Sequence, residues 1–227
     1  MKQFIRVALL LGMISFSAGS FLHACKPFEG VITFKITYPD NKFSESQMAM
    51  FPKVFTITVK GTKARTDMQM SMGNQSVIID YEAKNRISMM NMMGQKYAIQ
   101  ETAEDIEKEL ANQPKPTVQY SDETKTIAGY TCKKAIVTVD EDGQKTNYEV
   151  WYTTEIESIN TNFDDPVYRD IKGVLMEFSM STPQDFSMKF TATSVEKKSV
   201  SAKEFEIPAE FVPITKEELK TKFGGGM

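Results

Sequence analysis

The sequence predicts a mainly β chain, folded as one antiparallel sheet with one or two short helices packed on it. Three observations carry this expectation. Asp142-Gly143 joins two strand-like runs, Ala135–Val139 and Tyr148–Thr153, and Asp-Gly suits a type I′ hairpin turn, which needs positive φ at both central residues. Short alternating runs between Gly30 and Ile99 are separated by Gly or Asn turns, which is the spacing of an antiparallel meander. The 227 residues, 41% hydrophobic and 25% charged, are ordinary globular composition and enough for a real core.

Residues 1–24 read as an export signal: Lys2 and Arg6 start it, Val7–Ile14 is its apolar centre, and Ser17-Ala18-Gly19-Ser20 is its small-residue region. The apolar run is too short and too interrupted for a membrane span. Gly30–Tyr38 then alternates Ile32, Phe34, Ile36 and Tyr38 against Thr33, Lys35 and Thr37, as a half-buried strand does. Pro39-Asp40-Asn41 turns the chain, and Lys42–Met50 fits either a loop or a short helix. Val54–Lys60 directs Phe55, Ile57 and Val59 inward. Lys63–Met72 alternates Ala64, Thr66, Met68, Met70 and Met72 with Arg65, Asp67, Gln69 and Ser71. Ser76–Tyr81, Arg86–Met93 and Lys96–Ile99 complete the meander.

Thr102 with Asp105 is a capping box before a helix over Ala103–Asn112, which Pro114 and Pro116 end. The two-residue turn of the following hairpin pairs Val139 with Thr146, Val137 with Tyr148, Ala135 with Val150 and Lys133 with Tyr152. On its other face Ile136 lies beside Glu149 and Lys134 beside Trp151, within cation–π reach. Glu155–Asp165 is a turn or short helix, broken at Asp165-Pro166. Val174–Met180 and Phe186–Val195 are strands with Val174, Met176, Phe178 and Met180, then Phe186, Met188, Phe190 and Ala192, inward. Thr215 and Glu218 cap a final helix before a glycine tail. The organisation is thus 1–24 signal, 25–213 sheet domain and 214–227 helix and tail.

Several of these segments carry a resemblance. Ile127-Ala128-Gly129-Tyr130-Thr131-Cys132-Lys133-Lys134-Ala135, Glu149-Val150-Trp151-Tyr152-Thr153 and Phe205-Glu206-Ile207-Pro208 resemble a family of uncharacterised exported proteins of Gram-negative envelopes. That family looks related to periplasmic lipoprotein carriers and outer-membrane lipoprotein acceptors. The resemblance implies a strongly curved half-barrel sheet and brings no catalytic residues. Leu22-His23-Ala24-Cys25 similarly resembles the lipobox of bacterial lipoproteins, with His23 where that motif has a small residue. Acylation of Cys25 leaves Cys132 a lone thiol. Cleavage after Gly19 or Ala24 instead leaves Cys25 and Cys132 able to form one disulfide in an oxidising compartment.

Function is constrained by what is missing. The one histidine is His23, inside the signal, so the mature chain cannot form a Ser-His-Asp triad, a Cys-His dyad or a histidine-ligated zinc site. Removing the signal takes the net charge from −3 to −5, without basic clusters, which argues against nucleic acid. Asp140-Glu141-Asp142-Gly143 lacks calcium-loop spacing, and no phosphate loop is present. An enzyme is not expected, nor a cofactor or metal.

The 15 methionines are the unusual feature. They fit core filling, a deformable lining for an apolar ligand, or thioether binding of copper(I). The expected apolar ligand face is Met68, Met70, Met72, Met176, Phe178, Met180, Phe186, Met188 and Phe190. The leading expectation is an exported protein of the periplasm or outer membrane that binds or carries a lipid-like apolar molecule. Its membrane contact would run only through a lipid on Cys25. The alternatives are a protein-interaction module with a closed core and an exposed edge strand, or a copper(I) binder.

Overall fold

The computed structural model describes residues 27–39, 41–71, 73–92, 94–157, 162–181 and 186–223. The expected signal, His23, Cys25 and Met72 lie outside them. The chain runs β1 (Glu29–Thr37), α1 (Glu45–Met48), β2 (Val54–Lys60), β3 (Lys63–Met70), β4 (Gly73–Asp80), β5 (Asn85–Met92), β6 (Gln95–Glu101) and α2 (Ala103–Ala111). It continues with β7 (Thr117–Ile127), β8 (Tyr130–Glu141), β9 (Gln144–Thr153), β10 (Val174–Ser181) and β11 (Ser187–Lys197). A 3-10 turn (Ala202–Phe205), β12 (Val212–Pro213) and α3 (Lys216–Phe223) complete it.

Among the described residues these strands form one curved, unclosed sheet of twelve, ordered β12-β6-β5-β4-β3-β2-β1-β11-β10-β9-β8-β7. Every pairing is antiparallel except the two-residue contact of β12 with β6. The meander β1 to β6 needs only short turns. β11 then returns to pair with β1 and joins the meander to the β7–β10 half.

The β8–β9 hairpin has the expected register, with Val139 opposite Thr146, Val137 opposite Tyr148, Ala135 opposite Val150 and Lys133 opposite Tyr152. Asp142 (φ 51°) and Gly143 (φ 87°) make its turn, and the Gly143 amide donates to Asp140 Oδ1 at 2.9 Å. Lys134 Nζ lies 5.8 Å from the Trp151 ring centroid, and Lys125 Nζ lies nearer, at 4.2 Å. The capping box of α2 forms from both sides: Asp105 N donates to Thr102 Oγ1 at 3.3 Å and Thr102 N to Asp105 Oδ2 at 2.9 Å. Thr215 and Glu218 do the same ahead of α3.

Three features depart from the sequence pattern. β7 is a strand although its residues, TVQYSDETKTI, show no apolar alternation; as the sheet's edge it is mostly exposed on both faces. β10 is bulged between Leu175 and Glu177, so its alternation slips: Val174 and Leu175 are both buried, and Met176 is enclosed completely. Ile78, Met89 and Ala98 form a second, smaller core on the convex face, under Val200 and Phe205 of the C-terminal segment.

The main core lies in the concave face. Phe178 and Phe190, opposite each other on β10 and β11, stack with centroids 4.9 Å apart and planes 6° apart. Phe34 and Tyr168 meet the Phe178 ring edge-on at 5.9 and 5.7 Å. Tyr168 is brought there by the connection between β9 and β10. Its hydroxyl donates to Ser179 O at 2.5 Å and accepts from Ser179 N at 3.2 Å, which anchors that connection over the concave face.

Candidate functional site

Alternation on neighbouring strands stacks side chains in rows across the concave face. One row reads Ile57, Thr66, Val77 and Ser88, the next Phe55, Met68, Gln75 and Met90, and a third Ala64, Ile79, Arg86 and Glu101. Curvature swings the β10–β11 pair toward these rows and leaves a cavity of about 390 Å³. Its two sides differ in chemistry. Toward β1, β2, β10 and β11 it is apolar, formed by Ile32, Phe55, Ile57, Met188, Phe190 and Phe178. Toward β3, β4 and β5, the hydroxyls of Thr66 and Ser88 and the Gln75 amide interrupt Met68, Val77 and Ile79. These three polar side chains make no hydrogen bond among the described residues, and neither does the Tyr81 hydroxyl nearby.

One end of the cavity is ionic. Arg86 sits on the inward side of β5, where a charge requires partners. Its Nε donates to Glu101 Oε2 at 2.8 Å, and Nη2 donates to Glu101 Oε1 at 2.8 Å and to Glu109 Oε2 at 2.7 Å. Its Nη1 reaches Asp164 Oδ2 at 3.3 Å. Lys216 of α3 adds contacts to Glu101 Oε1 at 2.5 Å and Glu109 Oε2 at 2.8 Å. The cluster thereby ties β5, β6, α2, α3 and the β9–β10 connection together.

The electrostatics follow from this geometry. Hydrogen bonding to Glu101, more than any other influence, pushes the Arg86 guanidinium further toward its charged form. Burial works against the Glu101 charge, yet hydrogen bonds from Arg86 and Lys216 outweigh it and hold the carboxyl below its usual range. Burial raises Asp164, with Arg86 pulling the other way, and raises Asp165 as well. Asp165 Oδ1 accepts from the amides of Val167 and Tyr168 at 2.8 and 2.7 Å and so shapes the turn that closes this end. Burial also raises the Tyr81 phenol, and the Asp164 charge adds to it.

Of the residues expected on an apolar ligand face, Met68, Phe178, Met180, Met188 and Phe190 line this cavity. Met180 is exposed at its open side. Met176 is buried in the main core rather than in the lining. Phe186 joins an aromatic cluster beside α1, with ring centroids 5.2 Å from Phe43 and from Phe51 and 6.0 Å from Tyr38. Met70 ends β3, half-buried and away from the lining, and Met72 lies outside the described residues. Cys132 is fully buried, and burial raises its thiol. Sequence pattern alone does not assemble the ionic end, although an arginine at the inward parity of β5, in line with Ser88 and Met90, is a legible signal for it.

Among the described residues, no helix is long and apolar enough to cross a membrane, and no cluster of three or more His, Cys, Asp or Glu side chains is placed to hold a metal ion. No curated protein matches the chain at a significant level. The family described as Domain of unknown function (DUF4412) matches residues 28–165, more than half of the chain, and the protein belongs to that family.

Proposed function

We propose that this is an exported, non-catalytic envelope protein that holds a lipid-like apolar molecule in the concave face of its sheet. The observation that carries the reading is the cavity of about 390 Å³, open at one side and walled by aromatic, aliphatic and thioether groups. Its size falls in the range of about 300–1,000 Å³ usual for small-molecule sites. Binding would draw on burial of apolar surface, about 25 cal/mol per Å², with no bond made or broken. Met68, Met180 and Met188 suit such a role, because unbranched thioethers adapt to chains of different shape. The curved, unclosed sheet supports the likeness to periplasmic lipoprotein carriers that the sequence segments suggest.

The test is to isolate the full-length protein from its host's envelope fraction, take native mass spectra and extract lipid. Titration with the uncharged fluorophore N-phenyl-1-naphthylamine follows. One bound apolar molecule per chain is expected, with probe binding weakened about ten-fold or more by Ile57→Trp, which fills the cavity from β2. Metabolic acyl label lost in Cys25→Ser would add the tether. Protein free of lipid that ignores the probe would end the ligand reading, and recovery only from the cytosol would end export.

A second reading, recruitment of a partner strand, is favoured by one observation: β7 is an eleven-residue edge strand. Against it, β7 bulges across Ser121, Asp122 and Glu123, a device that turns an edge away from further pairing.

A further inference from the structure

We propose that the cavity selects an uncharged, hydroxyl-bearing amphiphile over an anionic one, with Thr66, Gln75 and Ser88 meeting the ligand's polar group. This rests on the ligand reading above and specifies the headgroup class.

An acidic ligand would be expected to seek a cation on the cavity wall. Arg86 is the basic residue on the cavity wall, and four of its donor contacts already go to carboxylates: two to Glu101, one to Glu109 and one to Asp164. These contacts leave one Nη1 hydrogen of the guanidinium's five, beside the Asp164 carboxylate, and any fuller engagement of Arg86 by a ligand carboxylate or phosphate must displace one of them. Displacing Glu101, whose side chain is 4% exposed, would leave a buried carboxylate with Lys216 as its remaining cationic partner. Asp164 and Asp165 line the same end and would repel an anion that entered without displacing anything. The ionic end is therefore largely self-complementary and unfavourable to acids.

The β3–β5 side offers the opposite. Thr66 and Ser88 flank Val77 across three adjacent strands, and Gln75 stands one row further, opposite Met68. Two hydroxyls and a primary amide each donate and accept, and none has a hydrogen-bond partner within the described protein. None of these atoms is sealed away from solvent or cavity space either. A purely hydrocarbon ligand would strip their water and return nothing, which costs free energy. A ligand hydroxyl or ester carbonyl returns the lost bonds while its chain lies along Phe178, Phe190 and Met188.

The experiment is competition against N-phenyl-1-naphthylamine bound to the full chain. It compares monooleoylglycerol with oleate at pH 8, both below their aggregation thresholds. The two share one acyl chain and differ in headgroup. Monooleoylglycerol should displace the probe at a concentration about ten-fold lower than oleate. In Thr66→Val/Ser88→Ala that advantage should fall to near parity, and Asp164→Asn should improve oleate relative to the ester. Oleate equal to or stronger than the ester on the native protein would overturn the proposal, as would a ratio unmoved by the double substitution. If neither the probe nor either lipid binds, by fluorescence and by native mass spectrometry, the ligand reading itself fails and takes this one with it. If the probe binds and both lipids displace it alike, only the headgroup assignment fails.

Discussion

Asp165 illustrates how a single side chain can be required for its shape and costly for its charge. Its Oδ1 organises the turn through Val167 and Tyr168, while burial raises its carboxyl above the ordinary range. A group raised in the native state stabilises the fold fully below its unfolded value, about 3.9, and loses that contribution as pH rises through the native value. Asn keeps the acceptor and does not titrate. Asp165→Asn should therefore be more stable than the native chain at pH 8, on the order of 1 kcal/mol, with the difference shrinking as pH falls toward about 4. Urea unfolding across that range measures it, and a difference independent of pH would refute the assignment. Glu101 runs the other way, since its lowered carboxyl stabilises the fold above its unfolded value and loses that as pH falls. At this scale the apolar residues were legible, because parity alone places Met68, Phe178, Met188 and Phe190 inward. The ionic cluster around Arg86 was not, because Glu101, Glu109 and Asp164, with the second cation Lys216, converge only once four separate elements are in place.

At the scale of elements, legibility followed local determinism. The β8–β9 register could be read residue by residue because a two-residue turn with positive φ allows a single alignment. β7 could not, since an edge strand that buries little on either face needs no apolar period. The β10 bulge was hidden for a related reason: alternation in sequence does not record an extra residue that the neighbouring strand leaves unpaired. Two glycines separate local from tertiary constraint. At Gly143 an added Cβ meets nothing within 4 Å, so Gly143→Ala should cost only the left-handed backbone, about 1 kcal/mol. At Gly30 that Cβ would lie 2.0 Å from Glu196 O, on the strand that pairs with β1. Gly30→Ala should then cost about 3 kcal/mol or more, because β1 and β11 must separate. Thermal unfolding of the two variants ranks them, and equal losses would contradict the close approach.

At the scale of the whole molecule, the sheet has two cores on opposite faces. The concave core carries the cavity, and the convex one is closed by the chain after β11, where Val200 and Phe205 cover Ile78, Met89 and Ala98. That segment goes on to pair Val212 and Pro213 with Tyr97 and Ala98 at the far edge, and Lys216 joins the ionic end. The meander was legible in the sequence. The closure on its convex side was not, since nothing in a run of alternating strands says which later segment will cover their outer face.

The strand order bears on which part of this chain can fold alone. The matched stretch ends at residue 165, before β10 and β11, yet those two strands lie in the middle of the sheet, between β9 and β1. A chain stopped there loses its keystone rather than its margin: two separate ribbons would remain, each with a newly bared hydrophobic edge. A polypeptide of residues 27–165 should aggregate or stay unfolded, whereas 27–223 should be a folded, soluble species by circular dichroism and gel filtration. A well-folded shorter piece would mean that β1 and β9 can find other partners. The matched stretch of this chain is therefore not expected to be an autonomous folding unit.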